Sequence, residues 1–175
     1  MNKIQGSMAP ALRFKGFSDN WNTERLGSFL SFKNGINADK ERYGSGYKFI
    51  NVLDIIQNTY ILHEKIIGSV NVDKKVFTIN EVIFGDILFQ RSSEIREETG
   101  QSNVYLDEHK SATFGGFVIR GRSIKKYQPI YLNYLLKTWL ARKEIVEKSG
   151  GSTRYNVGQK TLAAVNIYIS ANDKE

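Results

Sequence analysis

The chain has 175 residues, enough to bury one sizeable core, so a single domain is the first expectation. Its hydrophobic fraction of 41% belongs to a globular protein, and the lack of cysteine excludes disulfides, a thiolate metal site and a cysteine nucleophile. Twenty-five Lys and Arg against 18 Asp and Glu leave a net charge of +7, which attracts nucleic acid or anionic membranes, beside the plainer reading of a soluble protein of basic pI.

Residues 1–10 read as a disordered tail or tag remnant, with Gly6-Ser7-Met8 in the manner of a cloning scar. The remainder, residues 11–175, reads as one domain. Ser18-Asp19-Asn20 predicts the cap of a short helix beginning near Trp21, with Trp21, Leu26, Phe29 and Leu30 on its inner side. Lys33 to Gly46 is a polar loop that displays Lys33, Asn34, Lys40, Arg42 and Tyr43. Tyr47 to Val52 alternates as a strand ended by Asp54 to Ile56, and Ile61 to Val72 reads as short strands. Asp73-Lys74-Lys75 reads as a turn before a strand at Val76-Phe77-Thr78-Ile79, a β-branched and aromatic run.

Val82 to Ser93 is the most informative stretch. Gly85-Asp86 predicts a tight turn, because Gly accepts positive φ and Asp can bond a nearby backbone N–H. A strand then leaves it as Ile87-Leu88-Phe89, and Gln90, Arg91, Ser92, Ser93, Glu94 and Arg96 follow as a polar row. Gln and Arg are side chains that pair bidentately with adenine and guanine edges, so this row is a candidate for base or phosphate contact.

Val104-Tyr105-Leu106 and Phe117 to Arg120 read as strands, the second after Gly115-Gly116. Arg120, Arg122, Lys125 and Lys126 put four cations within seven residues, a pattern that suits phosphates as well as a solvated strand end. Pro129 opens a helix expected to run to about Lys148, with Tyr131, Leu132, Leu135, Leu136, Trp139 and Leu140 as its core stripe. Gly150-Gly151 stops that helix. Ser152, Thr153, Arg154, Tyr155 and Asn156 then form either a simple loop after a helix end or a loop whose small residues let the backbone approach a ligand. Thr161 to Ala164 is a helical turn, and Val165 to Ile169 is a last strand. The whole is α+β, a mixed and twisted β-sheet with a few helices.

No enzyme motif is present. The chain lacks GxxxxGK[ST], HExxH and GxSxG, and Gly44-Ser45-Gly46 is a fragment better read as a turn. Its two prolines, Pro10 and Pro129, rule out the Pro-Pro motif of an amino-methyltransferase. Glu108-His109-Lys110 matches half of a metal-nuclease motif, with Asp86 as the partner to be offered, but so short a match is common. His63 and His109 leave little for zinc, and nothing calls for a cofactor. No run approaches the roughly 20 apolar residues of a membrane span, and no signal peptide is visible, so a cytoplasmic protein is expected.

Several segments, in order, resemble the target recognition domain of type I restriction-modification specificity subunits. They are Leu12 to Phe17 with Trp21 and Leu26, Tyr47 to Asp54, Gly85-Asp86-Ile87-Leu88 with Arg91, Tyr131-Leu132 with Leu135-Leu136, and Gly151-Ser152-Thr153 with Leu162 and Ile167. The resemblance implies a non-catalytic domain that reads one half of a bipartite target in double-stranded DNA. It implies a methyltransferase subunit, and a restriction subunit, as partners. The pattern departs from the family at Ser170 to Glu175, which lacks the expected Pro and Glu-Gln, and the long spacer helix is missing. The resemblance therefore suggests a half-subunit, a natural truncation or an excised domain. The alternative is a protein-interaction or regulatory module that binds a restriction-modification subunit through its basic loops.

Overall fold

The computed structural model describes Arg13 and residues 15–170. Leu12 and Phe14, the expected tail and residues 171–175 lie outside the described residues. In chain order the elements are β1 (Asn22–Arg25), β2 (Leu30–Asn34), β3 (Tyr43–Ile50), α1 (Val52–Ile56), β4 (Ser69–Val70), α2 (Lys74–Ile79), β5 (Ile87–Gln90) and β6 (Ser92–Ser93). There follow β7 (Ser102–Val104), β8 (Thr113–Phe114), β9 (Val118–Ser123), α3 (Pro129–Lys137), α4 (Trp139–Lys148), β10 (Tyr155–Asn156), α5 (Gln159–Ala163) and β11 (Asn166–Ile169).

A four-stranded antiparallel sheet in the order β2-β9-β5-β7 forms the centre. Beside it β4-β3-β8 makes a three-stranded sheet whose β3-β8 pair is parallel. Two ribbons, β1-β11 and β6-β10, complete the β-structure. The α+β class with mixed sheets therefore agrees with the sequence reading.

Strand β5 at the middle of the central sheet is buried on both faces. Side chains alternate across a strand. Ile87 and Phe89 of β5 join Leu132, Leu135, Leu136, Ile145 and Leu162 of the helical layer. Leu88, between them, joins Ile50, Ile55, Phe114 and Tyr105 on the opposite face. Ile119 and Val118 of β9 divide in the same way. Two buried faces explain why Ile87-Leu88-Phe89 is continuously apolar rather than alternating.

Gly85 takes φ +86°, as the turn requires. Asp86, only 2% exposed, does more than close that turn. Its Oδ2 accepts from the Ile83 N–H at 2.9 Å. Both its oxygens also accept from Arg122, from Nε at 3.0 Å and from Nη2 at 2.8 Å. A bidentate guanidinium–carboxylate pair of this kind is strong and geometrically selective.

Four local expectations are corrected. The segment after Asn20 is not a helix: Asn22–Arg25 pairs with β11, and only Leu26–Ser28 turns, as one 3₁₀ turn. A distant strand offers ladder bonds that override the local capping signal. Val52 and Asp54 to Ile56 belong to α1 rather than to a strand and its end. The Asn51 side chain accepts from the Leu53 N–H, and Asp54 accepts from the Asn51 N–H. Such a capping box starts a helix where alternation alone predicts a strand. Val76 to Ile79 lies in α2, where Phe77 stacks on Tyr47 at 3.9 Å between ring centroids. Tertiary packing there overrides β-propensity. The long helix from Pro129 breaks at Thr138, whose backbone is extended (φ −65°, ψ 153°) and whose hydroxyl accepts from Ala141. The chain turns there, so Trp139 (70% exposed) and Leu140 leave the core stripe, while Leu132, Leu135 and Leu136 stay in it. Trp21 packs against the same core from its partly buried position.

Candidate nucleic-acid interface

The central sheet has two chemically different ends. At one end β5 runs out at Gln90, β9 begins at Val118, and β2 finishes at Asn34. At the other end lie Asp86, Arg122 and the segment to Tyr127. The ends of β9 are roughly 17 Å apart at the usual rise per strand residue.

The first end gathers two of the polar segments from opposite parts of the sequence. β6 and β10 pair antiparallel, with Ser93 opposite Tyr155 and Ser92 opposite Asn156. The Val157 N–H donates to the Arg91 carbonyl at 2.9 Å and continues the ribbon. The β10 side closes on itself, because Gly150 and Asn156 exchange backbone bonds at 3.0 and 2.7 Å. Gly151 sits at φ +124°, and a Cβ there would lie 2.1 Å from the Arg154 carbonyl oxygen. Only glycine fits so tight a loop. Ser152, Thr153, Arg154 and Asn156 are exposed around it.

The β6 side is held equally well. The Ser93 hydroxyl accepts from the Ile95 N–H and donates to Glu98. Arg142 of α4 donates to the carbonyls of Glu97 and Thr99 at 2.9 and 2.7 Å, which ties this turn to the helical layer. The exposed Arg96 guanidinium lies 5.8 Å from the Tyr155 ring centroid, and Arg154 pairs with Glu94 at 3.3 Å in solvent. Exposed pairs of this kind are weak and can be exchanged for a ligand. Arg91 is half-buried, and its Nη1 donates to the Gly116 carbonyl at 3.3 Å.

Two shallow clefts of about 310 and 230 Å³ adjoin this ribbon and share Val52 and Phe117. The first continues past Tyr43, Leu53 and Asn37, and the second past Ser92, Ser93, Glu94 and Arg154. Phe117 (62% exposed) and Leu53 (55% exposed) are the site residues that sequence reasoning missed. The signal available was Gly115-Gly116 directly before an aromatic. Its apolar neighbours Val118 and Ile119 make Phe117 look like the first residue of a strand, which begins at Val118.

The other expected residues fall elsewhere. Gln90 is a correction: it does not emerge beyond β5 but is 6% exposed, with its amide turned to the Ser92 carbonyl. Arg120 is another correction, at 7% exposure, with its guanidinium on the Glu81 carbonyl and over the Phe114 ring. Burial pushes its pKa down, the usual effect of desolvating a cation. Arg122 is engaged by Asp86 and the Glu81 carbonyl, and the Asp86 bonds push its pKa up. Lys125 lies at the second end, 3.9 Å from Glu24 and 4.6 Å from the Phe29 ring centroid, and Lys126 is exposed beside it. Lys33 is half-buried on β2, opposite Arg120, and Arg42 is exposed near Asp39. The nuclease alternative loses its offered carboxylate, since Asp86 is enclosed by Arg122 and Ile83. Among the described residues no cluster of His, Asp and Glu could hold a metal, and no helix is long and apolar enough to cross a membrane.

No protein-family model matches the sequence, and no curated protein matches it. Solved structures do. The type I restriction-modification S subunit from M. genitalium superposes with a TM-score of 0.65 at 16% identity, covering 95% of this chain and 38% of that one. A chain from a structure of type I R-M complex assembly and conformational transition gives 0.64 at 16% identity over 93% of this chain and 37% of its own. The chain has the fold of a type I target recognition domain. The HsdS subunit from Thermoanaerobacter tengcongensis agrees, at a TM-score of 0.60 and 16% identity, over 90% of this chain and 35% of that one. This recognition-domain fold thus spans little more than a third of the S-subunit chains it matches. Within it, the Gly85-Asp86 motif forms the turn that anchors β5, and Arg91 stands at the far end of that strand.

Proposed function

We propose that this chain is a non-catalytic component that binds duplex DNA sequence-specifically and reads one half of a bipartite target for a type I restriction-modification complex. The observation that carries the reading is the β6-β10 ribbon. It brings Arg91, Ser92, Ser93 and Arg96 together with Ser152, Thr153, Arg154, Tyr155 and Asn156 on one edge of the fold. Short polar side chains and exposed guanidinium groups on a braced ribbon suit the major groove, which admits a two-stranded β-ribbon. In this reading Arg91 and Asn156 are candidates for base edges, whereas Arg96, Arg154, Ser152 and Thr153 hold phosphates and set register. Arg42 and Lys33 extend the cationic border. Gln90, Arg120 and Arg122 act from inside, by holding the strands that present the ribbon.

The second end favours a protein contact as well. Phe84, next to Gly85, and Ile130, next to Pro129, are both exposed there. A methyltransferase or restriction subunit would dock there while the ribbon faces DNA.

Selection from a random duplex pool at low and moderate salt tests the function. The expected result is enrichment of a short motif of ~3 to 5 base pairs that survives moderate salt. Arg91→Ala is expected to lose discrimination by about 1–3 kcal/mol at one position of that motif. Retention without enrichment that vanishes as salt rises would leave electrostatic attachment alone and refute sequence reading.

A further inference from the structure

We infer that Phe117 reads the 5-methyl group of a pyrimidine, thymine in unmodified DNA, an inference that rests on the DNA-reading function proposed above. Phe117 is 62% exposed, although an aromatic ring normally contributes to a core. Its backbone is nevertheless fixed. The Phe117 carbonyl accepts from the Arg91 N–H at 2.9 Å, the Val118 N–H donates to Gly115 at 2.9 Å, and the Gly115 N–H donates to Ile50 at 3.0 Å. One side of the turn is closely packed, because a Cβ on Gly115 would lie 2.9 Å from the buried Phe49 ring. A ring held outward on so firm a turn loses little freedom when it docks.

The surroundings match the chemistry of an A·T pair. Phe117 stands between the two clefts, with Val52 and Leu53 on the apolar side and Ser92, Ser93, Glu94 and Arg154 on the polar side. In the major groove thymine shows a methyl group beside its O4 acceptor, and the paired adenine shows an N6 donor beside its N7 acceptor. An apolar ring is the partner the methyl needs. The Ser92 hydroxyl can donate to O4, and Glu94, released when Arg154 turns to a phosphate, can accept from N6. The Arg91 N–H donates to the Phe117 carbonyl and its guanidinium to the Gly116 carbonyl, so Arg91 is held beside the turn that carries the ring. The positive charge of the neighbouring Arg91, Arg96 and Arg154 favours DNA over a basic protein surface as the occupant.

The test uses the full chain and the motif selected from unmodified duplexes. Each thymine in the motif is replaced in turn by uracil, which lacks only the methyl group. At one position uracil is expected to weaken binding by the wild-type protein about fourfold, the worth of one buried methyl. The same replacement is expected to leave Phe117→Ala unaffected, and Phe117→Leu to retain part of the response. In a parallel arm, 5-methylcytosine replaces each cytosine. Tightening there, confined to the wild-type protein and accompanied by no uracil effect, would assign the methyl to modified DNA. An enriched motif indifferent to both replacements, or equally sensitive in Phe117→Ala, overturns the role of Phe117 and leaves DNA reading intact. Absence of any enriched motif overturns the DNA-reading proposal and this inference together.

Discussion

The two ends of the central sheet carry the same residue types with opposite fates. At the Asp86 end, arginines point inward: Arg122 grips Asp86, and Arg120 lies against the Glu81 carbonyl with 7% exposure. At the ribbon end, Arg96 and Arg154 reach into solvent, where they meet Tyr155, which is half-buried, and Glu94, which is exposed. The difference shows that a cluster of cations in sequence is not yet a binding surface. A cation becomes available when no buried acceptor in the fold claims it. Arg120 and Arg122 meet such acceptors because β9 runs beside β5 in the register that sets Leu88 against Arg120 and Ile87 against Gly121.

Breaking the Asp86 end should have the largest effect. Asp86→Ala removes the buried carboxylate, leaving the Ile83 N–H without its acceptor and Arg122 with the Glu81 carbonyl but no counter-charge. The expected loss is about 3 kcal/mol of stability, as for other severed buried ion pairs. Urea unfolding measures it, and a loss within 0.5 kcal/mol of zero, the range of ordinary surface substitutions, would show that the pair is not structural.

A smaller effect sharpens the contrast between the ends. Arg154→Ala is expected to lower the salt slope of DNA binding by about one unit, with stability almost unchanged. Lys125→Ala is expected to leave that slope nearly unchanged, because Lys125 lies at the other end between Glu24 and Phe29. The sequence alone ranks Lys125 as an equal phosphate contact. Titration of binding against salt separates the two views: equal slope changes would mean that DNA contacts both ends.

The smallest effect is a pH dependence outside both ends. Burial, with Lys110 nearby, lowers the pKa of His63. The unfolded chain therefore binds a proton at higher pH than the folded one, and the His63 contribution to stability is lost as pH falls from its ordinary value toward the lowered one. His63→Gln is expected to flatten the decline in thermal midpoint as pH falls below about 6.5. An unchanged slope would remove His63 from the account.

Much of this molecule was written locally. The strand at Ile87-Leu88-Phe89, the positive φ of Gly85 and the helix start at Pro129 follow from residue type, backbone freedom and a fixed proline ring. These are properties of a few neighbouring residues, so sequence alone determined them. The ordered motifs likewise pointed to the recognition-domain fold. Tertiary structure decided the rest. Asn22–Arg25 became a strand because β11 was there to pair with it, and α2 formed where Phe77 could stack on Tyr47. Residues 92–93 met residues 155–156 across more than sixty positions of sequence, a pairing no local pattern encodes. Gln90, Arg120 and Trp139 changed sides for the same physical reason. Whether a side chain is exposed depends on what the folded chain places above it, and the acceptors and apolar surfaces that claim a residue come from distant parts of the chain.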